Sequence, residues 1–109
     1  SNKCEIGSYV EVNRSTIGEN TKAKHLAYIG DGKIGSEVNI GAGVVFANYD
    51  GKDKHGTIIM DKAFIGSNST LIAPIKIGTE AIVGAGTVLN KDVKDKEKVG
   101  NEIKRVTLK

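Results

Sequence analysis

The chain has no tryptophan, five aromatic residues, one cysteine and one proline in 109 residues. A core built around bulky aromatic anchors is therefore not available to it. Cys4 has no second cysteine to pair with, so no internal disulfide can form, and a reducing, cytoplasmic setting is expected. No apolar run approaches the roughly 20 residues of a membrane helix, and Ser1–Glu5 carries no apolar leader core. We therefore expect a soluble protein with no membrane partner. Strong charge of one sign is also missing. The net charge is +3, but residues 90–109 hold seven Lys/Arg against four Asp/Glu, which leaves a neutral body. A basic excess confined to a tail is not a nucleic-acid groove, and no such partner is expected.

Glycine is plentiful, at 14 residues, and its placement is periodic. It follows an aliphatic residue at Ile6-Gly7, Ile17-Gly18, Ile34-Gly35, Ile40-Gly41, Ile65-Gly66, Ile77-Gly78 and Val83-Gly84. The aliphatic position recurs every six residues through Ile59, Ile65, Leu71, Ile77, Val83 and Leu89, and through Ile34, Ile40 and Phe46. Upstream, Ile6 and Val12, then Ile17, Ala23 and Ile29, keep the step with five-residue joins. A period of six fits neither an α-helix nor alternating strands.

It fits a triangular coil in which each hexapeptide supplies one flat side and one corner. The aliphatic residue points inward and stacks on its counterpart a coil later, while the glycine permits close backbone approach or a positive φ. β-Branched residues suit such a stacked inner surface, and stability accrues between neighbouring coils rather than within one. The predicted fold is all-β, a left-handed parallel β-helix of about five coils over residues 1–93, followed by a basic tail over 94–109. Phe46 and Ile59 are thirteen residues apart, so a polar segment near residues 48–56 must loop out. Loops on a rigid scaffold are where function concentrates.

His25-Leu-Ala-Tyr-Ile-Gly-Asp31, then Asn39-Ile-Gly-Ala-Gly43, Asn48-Tyr-Asp-Gly51, Phe64-Ile-Gly-Ser67 and Ala73-Pro74 follow in order. In residues and spacing, from about Ile6 to Val93, the chain resembles the C-terminal domain of the bifunctional N-acetylglucosamine-1-phosphate uridyltransferase / glucosamine-1-phosphate acetyltransferase family. The resemblance implies acetyl transfer from acetyl-CoA, as co-substrate, to the 2-amino group of glucosamine 1-phosphate, a step toward UDP-N-acetylglucosamine, with no metal. It implies His25 as general base. Tyr28, Asn39, Asn48, Tyr49 and Lys54 would form the acceptor site, and Ala42, Ser67 and Ala85 the acetyl-CoA groove. An oxyanion donor is expected among the backbone amides near Ala42. His55 and Cys4 receive no role. The family is trimeric, and a homotrimer follows from the resemblance. Where the family has a lysine that holds the sugar phosphate, this chain has Asn13, with Arg14 beside it, and its tail after Val93 does not match the family's arginine-bearing arm. Two other readings are an acetyltransferase for a different amino sugar or sugar nucleotide, and a catalytically weak β-helix that serves as a trimerisation scaffold.

Overall fold

The computed structural model describes residues 4–8, 10–25, 27–47 and 55–100. Every regular element among them is a short strand: β1 (Glu5–Ser8), β2 (Glu11–Asn13), β3 (Thr16–Ile17), β4 (Lys22–His25), β5 (Tyr28–Gly30), β6 (Gly32–Ile34), β7 (Asn39–Ile40), β8 (Val45–Ala47), β9 (Thr57–Ile59), β10 (Phe64–Ile65), β11 (Thr70–Ile72), β12 (Ile75–Ile77), β13 (Ile82–Val83), β14 (Val88–Leu89) and β15 (Lys98–Val99). They stack into three parallel sheets, each taking every third strand: β1-β4-β7-β10-β13-β15, β2-β5-β8-β11-β14 and β3-β6-β9-β12. This is the left-handed parallel β-helix that the six-residue repeat predicts. The ladder continues past Val93, since Ile82 and Val83 of β13 pair with Lys98 and Val99 of β15.

The inward residues form one aliphatic column per sheet. Ile6, Ala23, Ile40, Ile65, Val83 and Val99 are successive register partners in the first sheet. Ile17, Ile34, Ile59, Ile77 and Val93 align in the third. In the second, Val12 pairs with Ile29, Phe46 with Leu71, and Leu71 in turn with Leu89. Ile29, Phe46, Ile59, Ile65, Leu71, Ile77 and Val83 are buried completely or nearly so. Ile6 and Val12 are exposed, because among the described residues their coil has a neighbour on one side only. The repeat points to one further set of inward positions, two residues before each column member. Thr21, Val38, Ala63 and Ala81 fill it in the first sheet, and Ala27, Val44, Ser69 and Thr87 in the second, all buried.

The sequence separation between stacked partners is not a constant eighteen. It is 17 from Ala23 to Ile40, 25 from Ile40 to Ile65, 18 from Ile65 to Val83 and 16 from Val83 to Val99. All of this variation falls at one corner. From the first sheet's column to the second's, and from the third's to the first's, the step is always six. Between the second and third it runs five (Val12 to Ile17), five, thirteen (Phe46 to Ile59), six and four (Leu89 to Val93). The other two corners are locked by contacts between coils. Gly41 and Gly66 lie against the coil above, where a Cβ would meet backbone at 2.6 Å and 2.5 Å. Their role is close approach, because positive φ falls two residues later, at Gly43, Asn68 and Gly86, and at Asn20, Glu37, Lys62, Glu80 and Lys96 on the third-to-first corner.

Buried hydroxyls in the bore mostly bind the neighbouring coil. Thr21 Oγ1 donates to the Gly35 carbonyl at 2.7 Å and accepts from the Val38 N–H at 3.2 Å, and Ser69 Oγ donates to the Gly84 carbonyl at 3.0 Å. Thr57 Oγ1 is buried with no partner among the described residues. Leaving a hydroxyl so costs about 1–3 kcal/mol. Thr57→Val should therefore raise stability by about 1 kcal/mol in urea unfolding, whereas Thr21→Val should lower it by a similar amount.

Candidate active site

Carried two residues past the aliphatic column, the first sheet's register places four expected residues on one edge. Ser8 is the partner of His25. Ala23 partners Ile40, Ile40 partners Ile65, and Ile65 partners Val83. The residues two positions on are His25, Ala42, Ser67 and Ala85, one per coil along the first-to-second corner. Separations of 17, 25 and 18 in sequence thus become adjacent rungs, about 4.8 Å apart. Ala42, Ser67 and Ala85 are exposed. Backbone bonds tie the rungs: the Asn68 N–H donates to the Ala42 carbonyl and the Gly86 N–H to the Ser67 carbonyl, both at 2.8 Å. The edge is also narrow, because no Cβ stands at Gly41, Gly66 or Gly84 before it.

Tyr28 and Asn39 flank this edge on opposite sides. Asn39 lies on the outer face of the first sheet, between Lys22 and Phe64, and is exposed. Tyr28, half-buried, begins β5 on the second sheet, with Glu11 and Val45 as register partners. Asn48, Tyr49 and Lys54 lie outside the described residues. The chain leaves β8 after Ala47 on the second sheet and re-enters at β9 from Thr57 on the third. One chain therefore gathers His25 and the Ala42–Ser67–Ala85 column on one edge, with Asn39 and Tyr28 on the sheets to either side.

The second-to-third corner holds a feature the sequence reading passed over. Arg14 Nε donates to Asp31 Oδ1 at 2.7 Å and its NH2 group to Oδ2 at 3.2 Å, a two-point ion pair across adjacent coils. The hydrogen bond, and then the charge, of Asp31 push the Arg14 pKa up, so the guanidinium stays a cation at any working pH. Both residues have positive φ, 47° and 51°, which ordinary side chains adopt rarely. The signal was present in the sequence: the two are 17 residues apart, one coil in this part of the chain, and both follow the second-sheet column by two.

The family described as bacterial transferase hexapeptide (six repeats) matches residues 56–91. The chain is 60% identical over 89 residues to the bifunctional protein GlmU of Thermotoga petrophila, covering 82% of this chain and 20% of that protein. It is 56% identical over 96 residues to GlmU of Carboxydothermus hydrogenoformans (88% and 22%) and 54% over 105 residues to GlmU of Ruthia magnifica subsp. Calyptogena magnifica (96% and 23%). It thus spans about a fifth of the length of these relatives. Among solved structures it is similar in fold to a GDP-perosamine N-acetyl transferase mutant from Caulobacter crescentus in complex with CoA and GDP-perosamine. The TM-score there is 0.75 at 24% identity, over 93% of this chain and 49% of that one. It is likewise similar to a hexapeptide-repeat acetyltransferase from Vibrio cholerae complexed with acetyl coenzyme A, with TM-score 0.72 at 20% identity, over 91% and 66%.

Residues 56–91 carry the repeat of the hexapeptide transferase family, and the β-helix is the fold that this repeat builds. Along most of its own length the chain is similar to the C-terminal region of the bifunctional protein GlmU.

The edge column yields a direct test. A methyl group at Gly66 would sit 2.5 Å from the Ala85 nitrogen and 2.7 Å from the Gly84 carbonyl carbon. Gly66→Ala should cost about 1–3 kcal/mol by forcing the coils apart, read as a lower urea midpoint. Ala42→Ser, on the exposed turn beside Gly41, should leave that midpoint within about 0.5 kcal/mol.

Proposed function

We propose that the chain transfers the acetyl group of acetyl-CoA to the 2-amino group of glucosamine 1-phosphate, giving N-acetylglucosamine 1-phosphate and CoA, a step toward UDP-N-acetylglucosamine. The observation that carries this reading is the edge on which His25, Ala42, Ser67 and Ala85 fall on consecutive rungs. A base at one end of a narrow, amide-rich column suits a thioester lying lengthwise along it. The 54–60% identity to GlmU proteins supports the amino-sugar phosphate as acceptor over the other readings. The fold neighbours solved with CoA or acetyl coenzyme A support the co-substrate.

The chemistry needs few groups. The acceptor ammonium must lose a proton before its nitrogen can attack, and a histidine, with an ordinary pKa of about 6.5, suits that task near neutral pH. The amine attacks the thioester carbonyl, the C–N bond forms, and the oxyanion is stabilised by a backbone N–H near Ala42. The nitrogen then gives up a second proton, collapse breaks the C–S bond, and the thiolate leaves as the thiol with one of the two protons through His25, the other passing to solvent. No acyl-enzyme is needed, and the reading assigns no step to Cys4 or to a metal. Tyr28 and Asn39 would hold the sugar, with Asn48, Tyr49 and Lys54 from the inserted segment.

In a single chain Ala47 and Thr57, between which the inserted segment runs, flank a different corner from the one that His25 begins, so the complete site is best formed between chains. We therefore propose a homotrimer, which would also cover exposed apolar residues on the sheet faces such as Phe64 and Ile82, register partners on the first sheet. The lone Cys4 accords with a cytoplasmic location.

Two substitutions test the two ends of the edge. With acetyl-CoA and glucosamine 1-phosphate, His25→Ala should lower the turnover number by roughly 10²–10⁴ while leaving CoA binding near wild type; retention of most activity would remove His25 from the mechanism. Ala85→Trp should block the column and weaken CoA binding at least about tenfold with the fold intact by circular dichroism, since Ala85 is exposed and its coils need not move. Wild-type CoA affinity in that variant, by calorimetry, would sink the proposed groove. A thiol-release assay across amino sugars, sugar phosphates and sugar nucleotides distinguishes the acceptor, and no release with any of them would favour the scaffold.

A further inference from the structure

The corner between the second and third sheets is the only one of the three whose step length varies, and it is where Arg14 and Asp31 meet. Asp31 makes two connections there. Its carboxylate takes both donors of Arg14 from the coil before it, at 2.7 Å and 3.2 Å. Its carbonyl accepts the Thr57 N–H at 3.1 Å, on the first strand after the inserted segment. Gly56 packs on the same carbonyl, where a Cβ would stand 3.3 Å away. One residue therefore ties the coil below to the point where the chain returns to the β-helix. Asp31 also follows directly on the short strand that Tyr28 begins. The same register sets Glu11, Val12 and Asn13, which lead to Arg14, directly under Tyr28, Ile29 and Gly30, which lead to Asp31.

We infer that the Arg14–Asp31 pair is the positioning device of the acceptor side of the site: it fixes the return of the inserted segment at Thr57 and the setting of Tyr28 at once. The inference rests on the proposed function, in which Tyr28 and the inserted segment hold the amino sugar. Neither Arg14 nor Asp31 is a catalytic residue here, because both act through their neighbours. The pair contributes little to global stability. Arg14 is 51% exposed and Asp31 20%, and half-exposed ion pairs are screened by solvent. Its two-point geometry gives direction instead, and a displacement of about 1 Å at a substrate-holding group is enough to lower a rate severely. Arg14 also leaves little cationic capacity for a sugar phosphate, since two of its donors already meet Asp31.

The test uses the purified chain with acetyl-CoA and glucosamine 1-phosphate, and the variants Arg14→Gln, Asp31→Asn, their double and Arg14→Lys. Asparagine keeps the carbonyl to Thr57 and tolerates positive φ. Each single variant should raise the Michaelis constant for the sugar about tenfold while leaving that for acetyl-CoA, and the melting temperature, close to wild type. The double variant should be no worse than either single, because both remove the same contact. Arg14→Lys, which keeps charge but loses the fork, should fall between. Equal losses for both substrates, additive losses in the double variant, or wild-type sugar kinetics in both singles would overturn the inference while the proposed function stood. A wild-type chain that acetylates no amino sugar would remove the function and the inference together, so the two failures are distinguishable.

Discussion

The structure depends on keeping three inward columns in register while the chain length per coil changes. Parallel strands about 4.8 Å apart stack Ile40 on Ala23, Ile65 on Ile40 and Val83 on Ile65, although 17, 25 and 18 residues intervene. Slipping by one residue would turn each aliphatic side chain out of the bore. With so few residues per strand, no strand could compensate alone. Stability therefore lies in the contacts between coils, and a chain without tryptophan and with only two phenylalanines can still bury a continuous core. Among the described residues Phe46 is the one aromatic side chain fully inside, and it fits because Gly32 leaves room beside its ring.

Register and length can both be kept because the corners are unequal. Where glycine allows backbone to approach backbone, as at Gly41 and Gly66, an extra residue would part the coils. At the third-to-first corner, side chains join the coils: Asp61 Oδ1 accepts the Ser36 N–H at 2.9 Å and Asp95 Oδ1 the Thr79 N–H at 2.8 Å. At the second-to-third corner the bonds among the described residues change from coil to coil: Ser15 Oγ accepts the Gly32 N–H at 3.0 Å, Asp31 takes Arg14, and Asp92 Oδ1 accepts the Lys76 N–H at 2.9 Å. This corner takes four residues or thirteen, and the chain places its insertion there. The rigid edges suit a column that must hold its spacing, and the tolerant corner suits recognition elements that differ from one coil to the next.

This division also separates the candidate chemistry. His25 and the Ala42–Ser67–Ala85 column lie on a rigid corner, where positions are set by backbone bonds between rungs and scarcely by side chains. Tyr28 and Asn39 stand on the sheets to either side of that corner, and the Arg14–Asp31 pair lies on the tolerant one.

The six-residue spacing of aliphatic residues by itself determined the β-helix, the inward side chains Ile59, Leu71, Ile77 and Val83, and the place of the insertion, because a period of six has few other physical solutions. The motif from His25 to Asp31 was likewise legible as residues, and so were the small residues Ala42, Ser67 and Ala85. Only the tertiary structure decided that those three continue the rung sequence begun by His25, and that Asn39 and Tyr28 flank the edge from opposite sheets. It also decided that the glycines serve close approach, with positive φ left to the residues two positions on. The Arg14–Asp31 pair needed the fold most, since two charges 17 residues apart meet only if the coil between them is 17 residues long. Which corner absorbs the missing residue is settled by packing between coils, and no single hexapeptide contains that information.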